Sequence, residues 1–263
     1  MSVELEGQIA VVTGGAAGIG AAVVSELARL GASIAIIDLL EVDRQRLEVL
    51  ESYPGQIVFS CICDITRSND VVAACNAVRE RIGDPTILIN NAGGSGPIRA
   101  VDVEEVTDEI WENIISLNLT GILRFCRVLV PAMKAQRYGK ILNVSSTLMH
   151  GQVGEGGTVG ARLPYVTAKS AIVGMTKQLA KDLGPHGIFV NAIAPGLTLP
   201  DPSSRIAKRF EALPSDRREL LLSGIPLKRA GTGQDMAKVA SFLVSPRNTY
   251  ISGQTISVDG GAT

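Results

Sequence analysis

Short apolar runs alternate with longer amphipathic stretches along the whole chain. The short runs hold four to six residues and are rich in Val, Ile and Ala, which is typical of buried β-strands. Because nearly every position in them is apolar, both faces are expected to be covered, as in a parallel sheet between two layers of helices. We predict strands at 8–13, 33–38, 57–61, 86–90, 139–144, 188–193 and 255–258.

The stretches between these runs have the apolar spacing of helices. We predict helices at 18–30, 41–51, 68–82, 104–135, 166–183 and 233–244. Strand–helix alternation without a repeat or linker predicts the α/β class, as a single doubly wound Rossmann-type domain over 1–263 with seven parallel strands. The segment 197–230, rich in Pro, Ser and Arg, is too long for an ordinary connection and is interpreted as a substrate lid with its own short helix.

A glycine-rich turn follows the first predicted strand, in the sequence IAVVTGGAAGIG at 9–20. A Cβ at Gly14, Gly18 or Gly20 would obstruct a tight turn, a bound pyrophosphate or the packing of the helix on its strand. The free amide groups at the start of the next helix favour an anion. The turn therefore predicts a dinucleotide phosphate site, although a glycine-rich turn without a ligand has the same pattern.

An acidic residue ends the second strand, 18 positions after the turn's last glycine. The carboxylate of Asp38 can accept hydrogen bonds from both ribose hydroxyls of an adenosine and would repel a 2′-phosphate, which predicts NAD rather than NADP. A helix N-cap is the alternative role, and Arg44 and Arg46 could reach the turn from the next helix. Asp64, with Ile65 after the third strand, is predicted either to meet the adenine or to cap the following helix.

Composition limits the classes of partner. The chain has 263 residues, 46% of them hydrophobic, and a formal net charge of -1, which argues against a general nucleic-acid or anionic-membrane binder. Four cysteines without framework spacing and two histidines predict neither disulfides nor a metal site. Cys61 and Cys63 are expected in the core. No leader pattern and no apolar run near 18 residues is present, so we expect a cytoplasmic protein.

Six ordered motifs make the pattern specific, and together the chain resembles the short-chain dehydrogenase/reductase family. They are TGGAAGIG at 13–20, NNAG at 90–93, NLTG at 118–121, NVSS at 143–146, YVTAK at 165–169 and NAIAPG at 191–196. The resemblance implies hydride transfer between NAD and a secondary alcohol or ketone. It implies catalytic roles for Asn118, Ser146, Tyr165 and Lys169, and cofactor contacts from Gly14, Ala17, Gly18, Ile19, Gly20, Asp38, Asp64, Ile65, Asn91, Ala92, Gly93, Tyr165, Lys169, Pro195, Gly196 and Thr198.

The chemistry of two of these residues follows from their spacing. Tyr165 and Lys169 are four apart on a predicted helix, so their side chains share one face. A neighbouring ammonium, helped by an oxidised nicotinamide, favours the phenolate and should lower the pKa of Tyr165 from about 10 towards working pH. The phenol can then take a hydroxyl proton in oxidation or give one in reduction. An ordinary pair on an amphipathic helix is the alternative.

Two further residues complete the predicted catalytic set. Ser146 is expected to hold the substrate oxygen, with Ser145 as the alternative. Ser146 and Tyr165 are 19 positions apart, more than is usual in the family, and the excess falls in a glycine-rich insertion at 151–160. The resemblance implies that Asn118 bends its helix and holds a water near Lys169, while a polar residue facing a loop is the alternative.

The substrate and the assembly remain open at this stage. Basic residues in the lid could attract an acidic substrate, or could form a solvated face with the acids between them; they are Arg205, Lys208, Arg209, Arg217, Arg218, Lys228 and Arg229. His150 either touches the substrate or is a plain loop residue. A 3-oxoacyl-thioester reductase-like enzyme and a non-catalytic NAD-binding regulator are the alternative functions. The helices at 104–135 and 166–183 are expected to pair copies into a homodimer or homotetramer.

Overall fold

The computed structural model describes residues 4–98, 100, 102–151, 162–202 and 204–263, and these residues form a seven-stranded parallel sheet. The strands lie in the order β3-β2-β1-β4-β5-β6-β7. Their bounds are β1 Ile9–Thr13, β2 Ser33–Asp38, β3 Val58–Ile62, β4 Ile87–Asn90, β5 Gly139–Val144, β6 Ile188–Pro195 and β7 Thr255–Val258. The strand order reverses between β1 and β4, and the crevice beyond their carboxyl ends is where ligands bind in doubly wound sheets.

Helices cover both faces of the sheet. Their bounds are α1 Gly18–Arg29, α2 Arg44–Leu50, α3 Ser68–Ile82, α4 Asp108–Ile115, α5 Gly121–Gln136, α6 Arg162–Leu183, α7 Arg205–Glu211, α8 Ser215–Ser223 and α9 Gly233–Val244. The α/β class and the strand–helix alternation predicted above are therefore confirmed.

Alternating strand positions divide the apolar core into two layers. On β1, Val12 points to the layer shared with α1 and α9, while Val11 points to the layer shared with α3, α5 and α6. Phe125 and Leu129 of α5 are fully buried in the second layer. Truncation of such a side chain to alanine costs about 3–5 kcal/mol. The core thus fixes the strand ends that carry the candidate site.

The structure differs from the predicted elements mainly in the helices. The predicted helix at 104–135 is interrupted by one π-helical turn, Ser116–Thr120, between α4 and α5. The helix predicted at 41–51 begins later, at Arg44, where Asp43 caps it by accepting from the Gln45 amide at 2.7 Å. The helix predicted at 166–183 begins earlier, at Arg162. The segment 197–230, which was interpreted as a lid, carries two short helices, α7 and α8, rather than one, and its role stays a prediction.

The continuous helical stretch Asp108–Gln136 has the length and mean hydropathy, 1.5 in its best 18-residue window, of a membrane-crossing helix. The core helix of a soluble protein meets the same criteria. Here the buried face of α5 packs on the sheet through side chains that include Phe125, Leu129 and Met133.

The insertion at 151–160 lies, except for Gly151, outside the described residues.

Candidate active site

The glycine-rich turn lies against the segment that follows β4. The backbone of Gly14 has φ +65, and a Cβ there would lie 2.9 Å from the Ala92 Cα. A Cβ on Gly20 would overlap the carbonyl oxygen of Gly14. Gly18 has φ +62 and begins α1, and Ala17 is its N-cap without a side-chain bond. Because no side chain caps α1, the N-terminus of this helix faces the turn without a capping group, as a phosphate site requires.

Hydrogen bonds fasten the predicted NNAG motif to this turn. The hydroxyl of Thr13 accepts from the backbone amides of Asn91 at 3.0 Å and Ala92 at 3.1 Å. The side-chain amide of Asn91 donates to the carbonyl oxygens of Thr13 and Gly14, both at 3.0 Å. These four hydrogen bonds therefore join the end of β1 to the segment after β4, at the edge of the crevice.

Asp38 also faces the turn. Its carboxylate accepts from the backbone amide of Ala16 at 3.0 Å and from that of Leu40 at 3.1 Å. The alternative role as a helix N-cap is wrong, because Asp43 caps α2. Arg46 reaches the turn as well, and its guanidinium donates to the Ala16 carbonyl at 2.6 Å. The carboxylate of Asp38 thus binds the backbone amide of Ala16, and the guanidinium of Arg46 binds its carbonyl.

Asp64 and Ile65 lie beyond β3, at the start of the segment leading to α3. The carboxylate of Asp64 accepts from the hydroxyl of Thr66 at 2.7 Å and from its amide at 2.9 Å, and the hydroxyl bond is the main cause that lowers the pKa of Asp64. Asp64 closes a turn rather than capping α3, whose N-cap is Arg67. Ile65 is buried and contacts α5 where Gly121 lacks a side chain.

Asn118 lies in the π-helical turn and is fully buried. Its side-chain amide donates to the carbonyl oxygens of Gly94 at 2.8 Å and Ile114 at 2.9 Å, and its oxygen accepts from the Gly94 amide at 2.9 Å. The residue therefore faces a loop at a π-helical turn of its helix, and its role in holding a water near Lys169 stays a prediction. Gly93 is part of this contact, since a Cβ there would lie 2.5 Å from Oδ1 of Asn118.

The two candidate serines point in different directions. Ser145 is buried and its hydroxyl donates to the backbone carbonyl of Lys169 at 2.7 Å. Ser146 is the N-cap of a short 3₁₀ turn, where its hydroxyl accepts from the Leu148 amide at 3.2 Å, and it also hydrogen-bonds the phenol of Tyr165. Ser146 is thus the serine beside Tyr165, despite the long insertion between them. His150 ends the same turn and is exposed.

Lys169 is buried below Tyr165. Its ammonium donates to the Val144 carbonyl at 2.8 Å and lies 5.5 Å from the centroid of the Tyr165 ring. It also lies 3.3 Å from the position that a Cβ on Gly93 would occupy. Burial lowers the pKa of Lys169 to about 8. A buried ammonium with three donors and one carbonyl partner among the described residues suits a ligand with hydroxyl groups at this place.

The pKa of Tyr165 shifts opposite to our expectation. Burial raises the pKa of its phenol, and the hydrogen bond from Ser146 offsets this only in part. In the protein without nucleotide, removal from water disfavours the phenolate and also weakens the charge of Lys169. Tyr165 is therefore a proton donor in this state. The lowering expected with Lys169 and an oxidised nicotinamide together stays a prediction.

The end of β6 carries the last predicted cofactor residues. Pro195 closes the strand, and a Cβ on Gly196 would lie 2.7 Å from the Cβ of Asp259, so this turn needs glycine. The hydroxyl of Thr198 donates to the Gly196 carbonyl at 3.0 Å and is buried. Thr198 therefore shapes the turn beside the crevice.

Comparisons with known proteins agree with this arrangement. Residues 14–263 match the family described as enoyl-(acyl carrier protein) reductase. The chain is 35% identical over 259 residues to the 3-oxoacyl-[acyl-carrier-protein] reductase FabG of Thermotoga maritima, with 98% of each chain covered. It is 32% identical over 265 residues to 2-(S)-hydroxypropyl-CoM dehydrogenase 3 of Xanthobacter autotrophicus, covering 100% of this chain and 99% of that one.

The chain belongs to the short-chain dehydrogenase/reductase family. The solved structure titled "Crystal structure of gox2181" superposes with a TM-score of 0.85 at 28% identity, covering 99% of this chain and 97% of that one. As a short-chain dehydrogenase/reductase, the protein is an oxidoreductase that uses a nicotinamide cofactor. The cradle left by Gly14, Gly20 and Gly93, and the buried ammonium of Lys169, fit such a group.

Several residues that hold this short-chain dehydrogenase/reductase site together were not among the predicted site residues. Gly94 holds Asn118, and the carbonyl of Val144 holds Lys169. Arg124 donates to the carbonyls of Ile65 at 3.2 Å and Ser116 at 3.5 Å, which ties the turn after β3 to the π-helical turn. Most of these bonds use backbone atoms, which leave no signal in side-chain identity.

Proposed function

We propose that this chain reduces a ketone to a secondary alcohol, and catalyses the reverse oxidation, with 3-oxoacyl thioesters as the substrate class. The observation that carries this proposal is the buried ammonium of Lys169 below a protonated Tyr165 that is hydrogen-bonded to Ser146. The names of the FabG relatives support the thioester class, and secondary alcohols in general are the broader alternative.

The three side chains divide the work of the proposed reaction. A bound nicotinamide supplies or accepts the hydride. In reduction, the hydroxyls of Tyr165 and Ser146 donate hydrogen bonds to the substrate carbonyl oxygen and stabilise the negative charge that develops on it. The proton of Tyr165 then passes to that oxygen, and the ammonium of Lys169 stabilises the phenolate left behind. The raised pKa of Tyr165 suits this direction of proton transfer.

A spectrophotometric assay at 340 nm tests the proposal. Purified protein is given acetoacetyl-CoA with NADH or NADPH, and secondary alcohols with NAD or NADP in the reverse direction. Tyr165→Phe should retain cofactor binding and lower kcat by at least about 100-fold. Tyr138→Phe is the matched control, because that phenol is also buried but has no hydrogen-bond partner among the described residues. Parental turnover by Tyr165→Phe would contradict the assignment.

A non-catalytic NAD-binding regulator is the second candidate from the sequence. It predicts cofactor binding without turnover of any compound in the panel. The close grouping of Ser146, Tyr165 and Lys169 supports the enzyme instead, because binding alone does not need a serine hydroxyl on the phenol.

We further propose that NAD is preferred over NADP. The support is the carboxylate of Asp38, which faces the turn at Ala16, where a 2′-phosphate would meet a like charge. The guanidinium of Arg46 contacts the same residue and works against this preference. Asp38→Asn should lower the ratio of NAD to NADP affinity, and Arg46→Gln should raise it. Arg44→Gln is the control, since Arg44 is exposed and pairs with Glu48.

Calorimetric titration with NAD and NADP measures these affinities without turnover. A tenfold change in the ratio of NAD to NADP affinity in either variant corresponds to about 1.4 kcal/mol in binding free energy. This is within the range of one charge-assisted hydrogen bond. Tighter binding of NADP by the unaltered protein would overturn the preference. An effect of Arg44→Gln as large as that of Arg46→Gln would show that general surface charge, rather than contact with the turn, sets the ratio.

Assembly and location complete the proposal. We expect a homodimer or homotetramer in the cytoplasm. The support for assembly is the exposure of Trp111 on α4 and Leu123 on α5, whose side chains are 38% and 46% exposed on helices that also pack on the core. Sedimentation of the purified protein decides between a monomer, dimer and tetramer.

A further inference from the structure

The first helix of the lid places a cation beside the candidate site. Arg205 begins α7, and its Nη2 atom lies 3.6 Å from the position that a Cβ on Gly94 would occupy. Gly94 is the residue that exchanges two hydrogen bonds with the side chain of Asn118. Its neighbour Gly93 borders the ammonium of Lys169. The guanidinium of Arg205 therefore lies beside Gly94, the residue next to the glycine that borders the ammonium of Lys169.

A second guanidinium lies next to it. Arg209 is one helical turn further on α7, so the two side chains share a face of that helix. Arg209 is half-buried, and burial followed by the charge of Arg205 lowers its pKa. The charge of Arg205 therefore acts on Arg209, and an anion bound near this face of α7 would be attracted by both guanidinium groups.

Three other cations of the lid have partners within their own surroundings. Arg218 pairs with Glu211 at 2.6 Å, and Arg229 pairs with Asp235 at 2.7 Å. Lys228 donates to the Ser223 carbonyl at 2.8 Å. In the part of the chain that the structure describes, no carboxylate forms an ion pair with Arg205. The expectation of a solvated face with interleaved acids thus agrees with the ion pairs of Arg218 and Arg229 but does not account for Arg205.

We propose that Arg205, assisted by Arg209, binds an anionic group of the substrate at the mouth of the site. This inference rests on the proposed function, because it assigns a place to one end of the molecule whose carbonyl meets Tyr165. A guanidinium donates two parallel hydrogen bonds to a carboxylate or a phosphate, and a neutral group cannot replace them. The anion is either the carboxylate of a small oxo acid or a phosphate of the carrier that bears an acyl thioester.

Paired substrates separate the two sources. Acetoacetate is compared with methyl acetoacetate, and acetoacetyl-CoA with the acetoacetyl thioester of N-acetylcysteamine, which lacks phosphate. Arg205→Met should lower kcat/KM about 30-fold or more for the anionic member of one pair and less than about threefold for its neutral partner. Arg217→Met is the matched control, because Arg217 lies exposed on α8, in the same lid. The pair that responds identifies the anion.

The outcomes distinguish this subsite from the proposed function. If the parent turns over these compounds and Arg205→Met changes both members of each pair equally, the subsite is wrong and the reaction stands. If the parent turns over none of them, calorimetric binding of each compound to parent and variant decides the subsite alone. An anion preference that Arg205→Met removes supports it without the reaction, and equal binding of anionic and neutral members overturns it.

Discussion

A buried lysine at the far end of the sheet gives a quantitative test of how burial shifts pKa values in this protein. Lys140 is the second residue of β5, at the end opposite the candidate site, and is 3% exposed. Its ammonium donates to the Asn248 carbonyl at 2.7 Å and lies 3.5 Å from the centroid of the Phe189 ring. Burial lowers its pKa from 10.5 to about 8.

The sign of the effect on stability follows from the bound protons. With a pKa of 10.5 the unfolded chain binds the proton of Lys140 more tightly than the folded protein, whose value is about 8. Stability therefore rises with pH through this window and levels off above the unfolded pKa. Between pH 7 and pH 9 these two values give a gain of about 1.4 kcal/mol in the free energy of unfolding.

Substitution of Lys140 by Met removes this gain. The variant also leaves the buried Asn248 carbonyl without the ammonium, which costs about 1–3 kcal/mol at every pH. The pH-independent cost cancels when one compares the difference between parent and variant at two pH values. We expect that difference to move by about 1.4 kcal/mol in favour of the parent from pH 7 to pH 9.

Urea unfolding followed by circular dichroism at pH 7, 8 and 9 measures it, at one protein concentration so that any assembly is held fixed. Buried thiols oppose the trend in both proteins, because burial raises the pKa of Cys63, Cys75 and Cys126 to about 12, so they cancel in the difference. A difference that is constant within about 0.3 kcal/mol would refute the reasoning. Burial would then not lower the pKa of Lys140, and the explanation of the lowered pKa of Lys169 by burial would be contradicted as well.

Three shorter predictions concern the site and the core. Gly93→Ala should lower kcat by about tenfold or more, because the new methyl group would lie 2.5 Å from Oδ1 of Asn118; steady-state kinetics measure the loss, and thermal melting shows whether the variant is still folded at the assay temperature. Gly20→Ala should abolish cofactor binding in calorimetry, since its Cβ would overlap a backbone oxygen. Phe125→Ala should cost about 3–5 kcal/mol in urea unfolding, because that ring is fully buried.

The strands and the glycine-rich turn could be predicted because their causes are local. A buried parallel strand needs an apolar run, and the turn needs glycine where backbone lies against backbone, as at Gly14 and Gly20. The NNAG motif is similar, since Asn91 joins two strand ends that the order of the elements already brings together. Each of these features depends on residues that are close together in the sequence or in adjoining strands, so its pattern is visible in one sequence.

Other features depend on contacts between distant segments. The helix predicted at 104–135 contains a π-helical turn where Asn118 bonds to the backbone of Gly94. The apolar period does not record this contact, and only the family resemblance implied a bend at Asn118. Arg205 meets the same glycine from a lid more than a hundred positions away. The helix-cap role of Asp38 was likewise excluded by Asp43, which lies five positions later and caps α2, while the ribose contact of Asp38 stays a prediction.

The pKa of Tyr165 shows how spacing and burial give opposite answers. A separation of four residues correctly indicates that Lys169 lies near the phenol, and a full positive charge at 5.5 Å would favour the phenolate. The same burial that brings the two together lowers the pKa of Lys169 to about 8, so the cation loses charge in the pH range where the phenol would need it. Below that pH the pair is a phenol beside an ammonium, which is the form that donates a proton to a carbonyl oxygen. The value of kcat/KM for ketone reduction should therefore fall as pH rises above about 8. If kcat/KM stayed constant from pH 6 to pH 10, the charge of Lys169 would not control the proton transfer.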